Sequence, residues 1–505
     1  MNNIFMMLFH HFKSRRDVGT CAEDDITHFH KDHDPISNAK TTPPKEEHIR
    51  IPAIWAFEAY TPSYISNFYD GIKELGWNED AWDDNVELKD MLNGLRHTTT
   101  GSDWINLGYI VDEENKTSQP GTRKAKLPDG VESIKASIFQ FLPSTTILAC
   151  KFKMKDDLAR LIEDPIRETY STNKERTKDG YRIIDVYQQK KDAIVLTREY
   201  LKNLCTSWLT NNLPGLFSAG YLNGEYPACE LIIFEKHVPY QKIDGKENKS
   251  YPAILEIENS YYAWECDDLK GVYLQSRDYL HENKNSIVLL GNINEMLASI
   301  DLRGYGNTTE DRILNYLNYI DNSLGTWVLL ILVQLFEKQV NMLRDKYGEH
   351  DINMDVSSLI DLDRQLIELQ KNTVPFIHEL KDFCMDETCF MHDIFEFKAI
   401  HKMRNKEVGL FASIRERLLF YADKLKNNEA LLRDAANSIR QITATEVSKY
   451  LAKTNIQLQK RMSLMTLVIL LLTILTAVSA ALEIKKSFDL TIILDWISRL
   501  IKYIM

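Results

Sequence analysis

Three groups of residues have the types and spacing for metal or hydrolytic chemistry. His28, His30 and His33 form an HxHxxH run among Asp24, Asp25, Asp32 and Asp34, a donor set that suits zinc or nickel. Pro35, Pro43, Pro44 and the polar residues around them favour a solvated tail over a metal site. Cys384, Cys389 and His392 make a CxxxxCxxH run, but no fourth ligand follows at zinc-finger spacing, so ordinary buried thiols are the better reading. His392-Asp393, with His378 and His401, has the composition of a histidine–aspartate phosphohydrolase, yet its second aspartate is not identifiable. Phosphate-loop, GxSxG, HExxH and paired CxxC patterns do not occur. The expectation is a protein that is not an enzyme, with no metal site and no assignable cofactor.

Two further groups could bind without reacting. Arg96, His97, Thr98–Thr100, Ser102 and Trp104 form a polar, aromatic-flanked stretch able to meet the phosphate or base of a small-molecule or nucleotide ligand. A loop capping the preceding helix explains the same residues more simply. The second group lies in Met462–Leu482, about 21 residues without a charge, the length of helix that crosses a ~30 Å hydrocarbon core. Ser463, Thr466, Thr473, Thr476, Ala477 and Ala480 gather on one side of that helix, and Leu464, Leu467, Leu471, Leu475, Val478 and Leu482 on the other. A small, hydroxyl-bearing face permits close helix–helix approach, and in a ring it could line a narrow pore. A dimerising anchor has the same pattern.

The membrane interface is marked on both sides of this span. Lys449, Lys453, Lys460 and Arg461 precede it, suit an anionic leaflet, and place the bulk of the chain in the cytoplasm by the positive-inside rule. Lys485 and Lys486 follow. In the last 18 residues Thr491, Asp495, Ser498, Arg499 and Lys502 share a narrow polar face, while Trp496 and Tyr503 serve as interfacial anchors. This final helix lies in the interface or forms a second span, with the interfacial reading favoured.

These groups need a scaffold. The 505 residues give room for two or three domains, and the net charge of -12 with no basic stripe argues against direct nucleic-acid binding. Seven irregularly spaced cysteines fit reduced thiols, and no signal peptide is visible, which again points to the cytoplasm. Residues 1–50 read as a poorly ordered arm. Residues 51–300 read as an α+β or α/β domain, with strands over Trp104–Val111, Ser133–Phe141, Thr145–Phe152, Glu230–Phe234, Pro252–Ile257, Gly271–Gln275 and Ser286–Leu290. Helices are expected over Tyr64–Leu75, Asp80–Leu95, Asp156–Thr169 and Asp192–Asn211.

Residues 301–408 read as a helical bundle. Trp327–Phe336 is strongly apolar but too short to span a bilayer, and so belongs to a core helix. A helix over Val356–Lys371 is expected to break near Pro375. Residues 409–461 form a heptad stalk, with one seam of Phe411, Leu418, Leu425, Leu432 and Ile439. The alternate seam is Ile414, Tyr421, Asn428, Ala435 and Ile442, followed by a stutter to Val447, Leu451, Thr454 and Leu458. The transmembrane helix (462–484) and the amphipathic C-terminal helix (485–505) complete the chain.

A heptad stalk running into TNIQLQKRMSLMTLVILLLTILTAVSAAL near the chain's end resembles the CorA-type divalent-cation transporter superfamily. The likeness covers roughly 410–485, and Gln459, Lys460, Arg461, Met462 and Thr466 sit where the family has its basic, Met and Thr residues at the pore entry. It implies an N-terminal α/β domain, a helical bundle, a stalk continuous with the first membrane helix, and a homo-oligomer, a pentamer around that helix. The family's Gly-Met-Asn filter is replaced here by Val478-Ser479-Ala480-Ala481-Leu482-Glu483-Ile484, so no filter residue carries over. Relatives of this shape include CRISPR-associated CorA-like membrane effectors of antiviral defence that respond to a nucleotide messenger. The resemblance thus implies a ligand-sensing ion channel or defence effector, with a non-conducting tether and a metal-ion transporter as alternatives.

Overall fold

A computed structural model of the full chain describes residues 25–79, 82, 86–98, 103–115, 120–178, 180–219, 226–240, 250–257, 262–276, 286–299, 306, 308–349, 356–401, 409–484, 495, 496, 498, 499 and 502. Contacts divide the chain into two compact units, Met1–Leu343 with Arg364–Leu431, and Arg344–Asp363 with Leu432–Met505.

The first unit is built on a mixed sheet whose centre is β1 (Ile49–Tyr60). Helix α1 (Asp25–Thr41) precedes it, so the reading of residues 1–50 as a disordered arm fails over its second half. Asp34 is buried and accepts from the Thr172 amide at 2.7 Å and hydroxyl at 2.6 Å, and Asn38 exchanges hydrogen bonds with the Tyr170 backbone. Local polarity suggested a solvated tail; these buried side-chain bonds fix a docked helix instead.

Helices α2 (Ile65–Glu74) and α3 (Leu88–Thr98) lead to β2 (Asp103–Asp112), β3 (Thr122–Ala125), β4 (Val131–Leu142) and β5 (Thr145–Met154). A small ribbon of β6 (Asn173–Thr177) and β7 (Gly180–Ile184) precedes the long helix α4 (Val186–Asn212), whose N-cap Asp185 accepts from the Gln188 amide. Then come β8 (Ala228–Phe234), β9 (Ala263–Cys266), β10 (Val272–Ser276) and β11 (Ser286–Asn292). Pro252–Ile257, expected as a strand, instead opens a helical turn at Tyr251–Ile254 with Pro252 in its first turn, where a missing N–H costs little.

Helices take over after the capping box of Thr308 and Asp311, as the sequence suggests. Helix α5 (Asp321–Glu349) contains Trp327–Phe336 as a buried core segment, with Trp327 packed edge-on against Phe57 of β1 at 6.0 Å. Helix α6 (Val356–Met385) runs through Pro375 without the expected break. Phe376, Ile377 and Leu380 are buried just beyond the proline, and that burial outweighs one lost backbone bond. The edge strand β12 (Phe397–Ala399) returns to the sheet and precedes helix α7 (Leu410–Ile484). The order β12-β9-β10-β11-β8-β1-β5-β4-β2-β3 is antiparallel except for the pairs β8/β11 and β2/β3. The layout is therefore a large mixed sheet, a helical layer and a long apolar C-terminal helix. The expected border at residue 300 does not separate compact units, because the helices up to Leu343 and β12 belong with the sheet.

On α7 the buried positions are Leu410, Phe411, Ile414, Leu418, Ala422, Leu425, Glu429, Leu432 and Ala436. The first seam is as expected through Leu432. The alternate seam moves from Tyr421, Asn428 and Ala435 to Ala422, Glu429 and Ala436. One extra four-residue step, from Leu418 to Ala422, shifts the phase by a residue, and the heptad spacing resumes from Ala422 to Ala436.

Candidate functional site

The most constrained chemistry of the first unit lies at one end of the sheet, on residues that sequence inspection did not single out. Glu58, fully buried near the end of β1, accepts from the amides of Ala59 (3.0 Å), Phe217 (2.7 Å) and Ser218 (3.1 Å). The Ser218 hydroxyl (2.5 Å) and the Tyr226 hydroxyl complete its shell. Burial pushes its pKa up, and these donors pull against that. Gly215 makes the approach possible: a Cβ there would stand 2.7 Å from the Ala59 carbonyl oxygen and from Glu58 Cγ.

Arg198 of α4 reaches Glu230 of β8 through Nε (2.9 Å) and Nη2 (2.5 Å), with both side chains essentially inaccessible. Burial works to discharge Arg198, but the Glu230 carboxylate overrides it and raises the guanidinium pKa. Across the sheet, Tyr109, Lys135, Lys151 and Trp55 are cross-strand neighbours in one row. Asp321 at the start of α5 accepts from Trp55 Nε1 (2.9 Å) and Lys135 Nζ (3.2 Å). Lys151 bonds instead to the Leu314 carbonyl (3.0 Å) and to Asn318, and burial brings its pKa down to about 8. A signal for three of them existed: Glu58, Glu230 and Lys151 are charges set inside apolar strands (IWAFEAY, CELIIF, LACKFKM).

Arg96 sits at the end of α3, its Nη2 3.5 Å from the Ser144 carbonyl in the β4–β5 turn, while Nη1 is buried with no hydrogen-bond partner among the described residues. Burial lowers its pKa, opposed by Tyr69 and Glu379. The Glu379 carboxylate instead accepts from the Ser144 amide (2.8 Å) and hydroxyl (2.6 Å). His97 and Trp104 are exposed, and no hydrogen bond among the described residues joins them to Arg96. The stretch between them, 99–102, lies outside the described residues.

No group of three or more His, Cys, Asp or Glu among the described residues is placed to hold a metal. Cys384 is buried and its thiol is pushed up to about 12 by burial, while His392 lies exposed beside Asp393 at 3.4 Å. The side chains of His28 and His30 fall outside the described set.

The pore-lining candidates, with Lys460 and Arg461, lie on α7 in the second unit. From Ile442 onward most of its described apolar side chains are bare, among them Leu451 (55% exposed), Leu464 (65%) and Leu475 (66%). Lys460 and Arg461 are exposed one residue before the uncharged stretch. Of the pore-lining candidates, Thr466 donates to the Met462 carbonyl (2.8 Å), Thr473 to Ile469 (2.7 Å) and Thr476 to Leu472 (2.8 Å). Each hydroxyl proton is thus satisfied within the helix, which lets the side chain enter hydrocarbon and leaves an oxygen lone pair outward. Ser463 and Ala480 are exposed with them. Thr466 and Thr473 stand about 10.5 Å apart along the axis, with Ile469 and Leu470 between them on that side. Trp496 is exposed, and Arg499 pairs with Asp495 at 3.0 Å. Lys485, Lys486 and Tyr503 lie outside the described residues.

Comparison with models of known protein families finds no match, and a search of curated proteins finds no matching relative.

Proposed function

We propose that the chain is a membrane-anchored homo-oligomer whose sheet-bearing domain faces the cytoplasm, senses a small-molecule or nucleotide ligand, and alters bilayer permeability through α7. One observation carries this reading. A single unbroken helix packs an apolar seam as far as Ala436, then continues bare through an uncharged stretch of membrane-spanning length. Bare leucines at that density need lipid or copies of the same helix. An ion channel or a defence effector is the form that the resemblance to CorA-type proteins implies.

A non-conducting tether is the second reading. It is favoured by the threonine protons donated back to their own helix and by Ile469 and Leu470 between the hydroxyls. Metal-ion transport is third, since the Gly-Met-Asn triplet is missing. Ion flux from vesicles containing the purified full-length protein separates the first two. Flux that changes when Thr466 and Thr473 become Leu supports the channel, and membrane-bound protein without flux at any ligand tried supports the tether. A monomer in mild detergent contradicts the homo-oligomer.

A further inference from the structure

We propose that Tyr347, Asp363 and Arg440 form a clasp that fastens the stalk part of α7 to the paired ends of α5 and α6 and passes their motion to the membrane helix. The coupling half of this inference rests on the function proposed above; the clasp itself does not. All three residues belong to the second compact unit, which joins Arg344–Asp363 to Leu432–Met505.

The Tyr347 side chain is buried, and its hydroxyl donates to Asp363 Oδ1 at 2.8 Å. Burial drives the tyrosine pKa upward, so the group stays a donor. Arg440 Nε donates to both carboxylate oxygens, at 3.0 and 2.9 Å, and its Nη1 reaches Asn437 Oδ1 at 3.1 Å. One carboxylate at the start of α6 therefore takes a donor from α5 and a charged donor from α7. The position is telling: Ala436, one turn earlier, is the last fully buried residue on α7, and beyond Arg440 the helix is exposed. Among the described residues no apolar seam holds the stalk past this point, and the polar cluster is its last attachment before the membrane-entry segment.

A polar cluster suits a reversible attachment. Its hydrogen bonds are directional and partly exposed, with Arg440 39% and Asp363 26% accessible, so its net strength is small enough to switch. An apolar seam of the same length would hold the helix permanently.

The test uses full-length protein in lipid vesicles, read by hydrogen–deuterium exchange and by ion flux. Asp363→Asn and Arg440→Gln are each expected to speed amide exchange across residues 437–445 by about two- to fivefold, the scale of one partly exposed ion pair. The exchanged pair Asp363→Arg with Arg440→Asp is expected to recover at least half of the protection, and Tyr347→Phe to give a smaller loss. Unchanged exchange in the single variants overturns the clasp, as does increased exchange that the charge-exchanged pair leaves unrescued. Exchange that follows this pattern while flux stays at its wild-type level overturns the coupling. Absence of flux from every protein, wild type included, counts against the channel reading alone, and exchange still decides the clasp.

Discussion

Replacing Glu58 by glutamine is a severe test of the sheet-end cluster, because the two side chains are nearly isosteric. Both carboxylate oxygens face backbone N–H groups: Oε1 takes Ala59 and Phe217, and Oε2 takes Ser218. Either orientation of a glutamine amide therefore sets its NH2 against at least one N–H. The less costly orientation puts nitrogen at the Oε2 position, where the Ser218 and Tyr226 hydroxyls can turn to accept, and leaves the Ser218 amide unsatisfied. One orphaned buried donor costs about 1–3 kcal/mol, and the surviving bonds lose their charge assistance. Relief from burying a charge returns part of this, since burial alone raises the Glu58 pKa. The net expectation is a loss of about 3 kcal/mol for Glu58→Gln and about 5 kcal/mol for Glu58→Ala, which orphans every donor. Urea unfolding followed by the fluorescence of the buried Trp55 and Trp208 reads the change. A Glu58→Gln variant within about 0.5 kcal/mol of wild type would refute the argument, since the cluster would then need neither the charge nor the second acceptor.

Other expectations follow from the same geometry. Arg198→Met alone strands Glu230 in the core and should cost about 3–5 kcal/mol in the same urea assay, whereas Arg198→Met with Glu230→Leu should recover most of it. Burial holds His237 down at about 4 in the folded state, below its ordinary 6.5. The unfolded chain therefore binds the extra proton between those values, and stability that is present above pH 6.5 is lost as pH falls toward 4. The loss amounts to about 2–3 kcal/mol, and His237→Asn should flatten it in melting curves taken across that range. Leu471→Lys, near the middle of the uncharged stretch, should cost about 3 kcal/mol of insertion and lower the carbonate-resistant membrane fraction; an unchanged fraction argues against a span.

The sequence shows most where one face of an element is exposed. A heptad marked α7, and strand-forming residues between turn signals marked β2 and β4; the fully buried Trp327–Phe336 showed instead as a continuous apolar run. The central strand β1 escaped because both its faces are buried, so IRIPAIWAFEAY carries no alternation. Pro252 and Pro375 misled in opposite directions: the first starts a helical turn, and tertiary burial overrides the second. At the candidate sites, Lys460, Arg461 and the span threonines were legible as a local pattern. The partners of Glu58, Arg198 and Asp363 were not, because each lies far away in sequence and is fixed only by the fold.

Membrane-potential dye recording under inducible expression bears most directly on the central claim, with the full chain compared against a chain ending at Lys460. The account predicts depolarisation by the full chain once its trigger is present, the native activating stress included, and none by the truncated chain. A full-length protein that is membrane-bound yet leaves the potential unchanged under every trigger, or a truncated chain that depolarises equally, would contradict it.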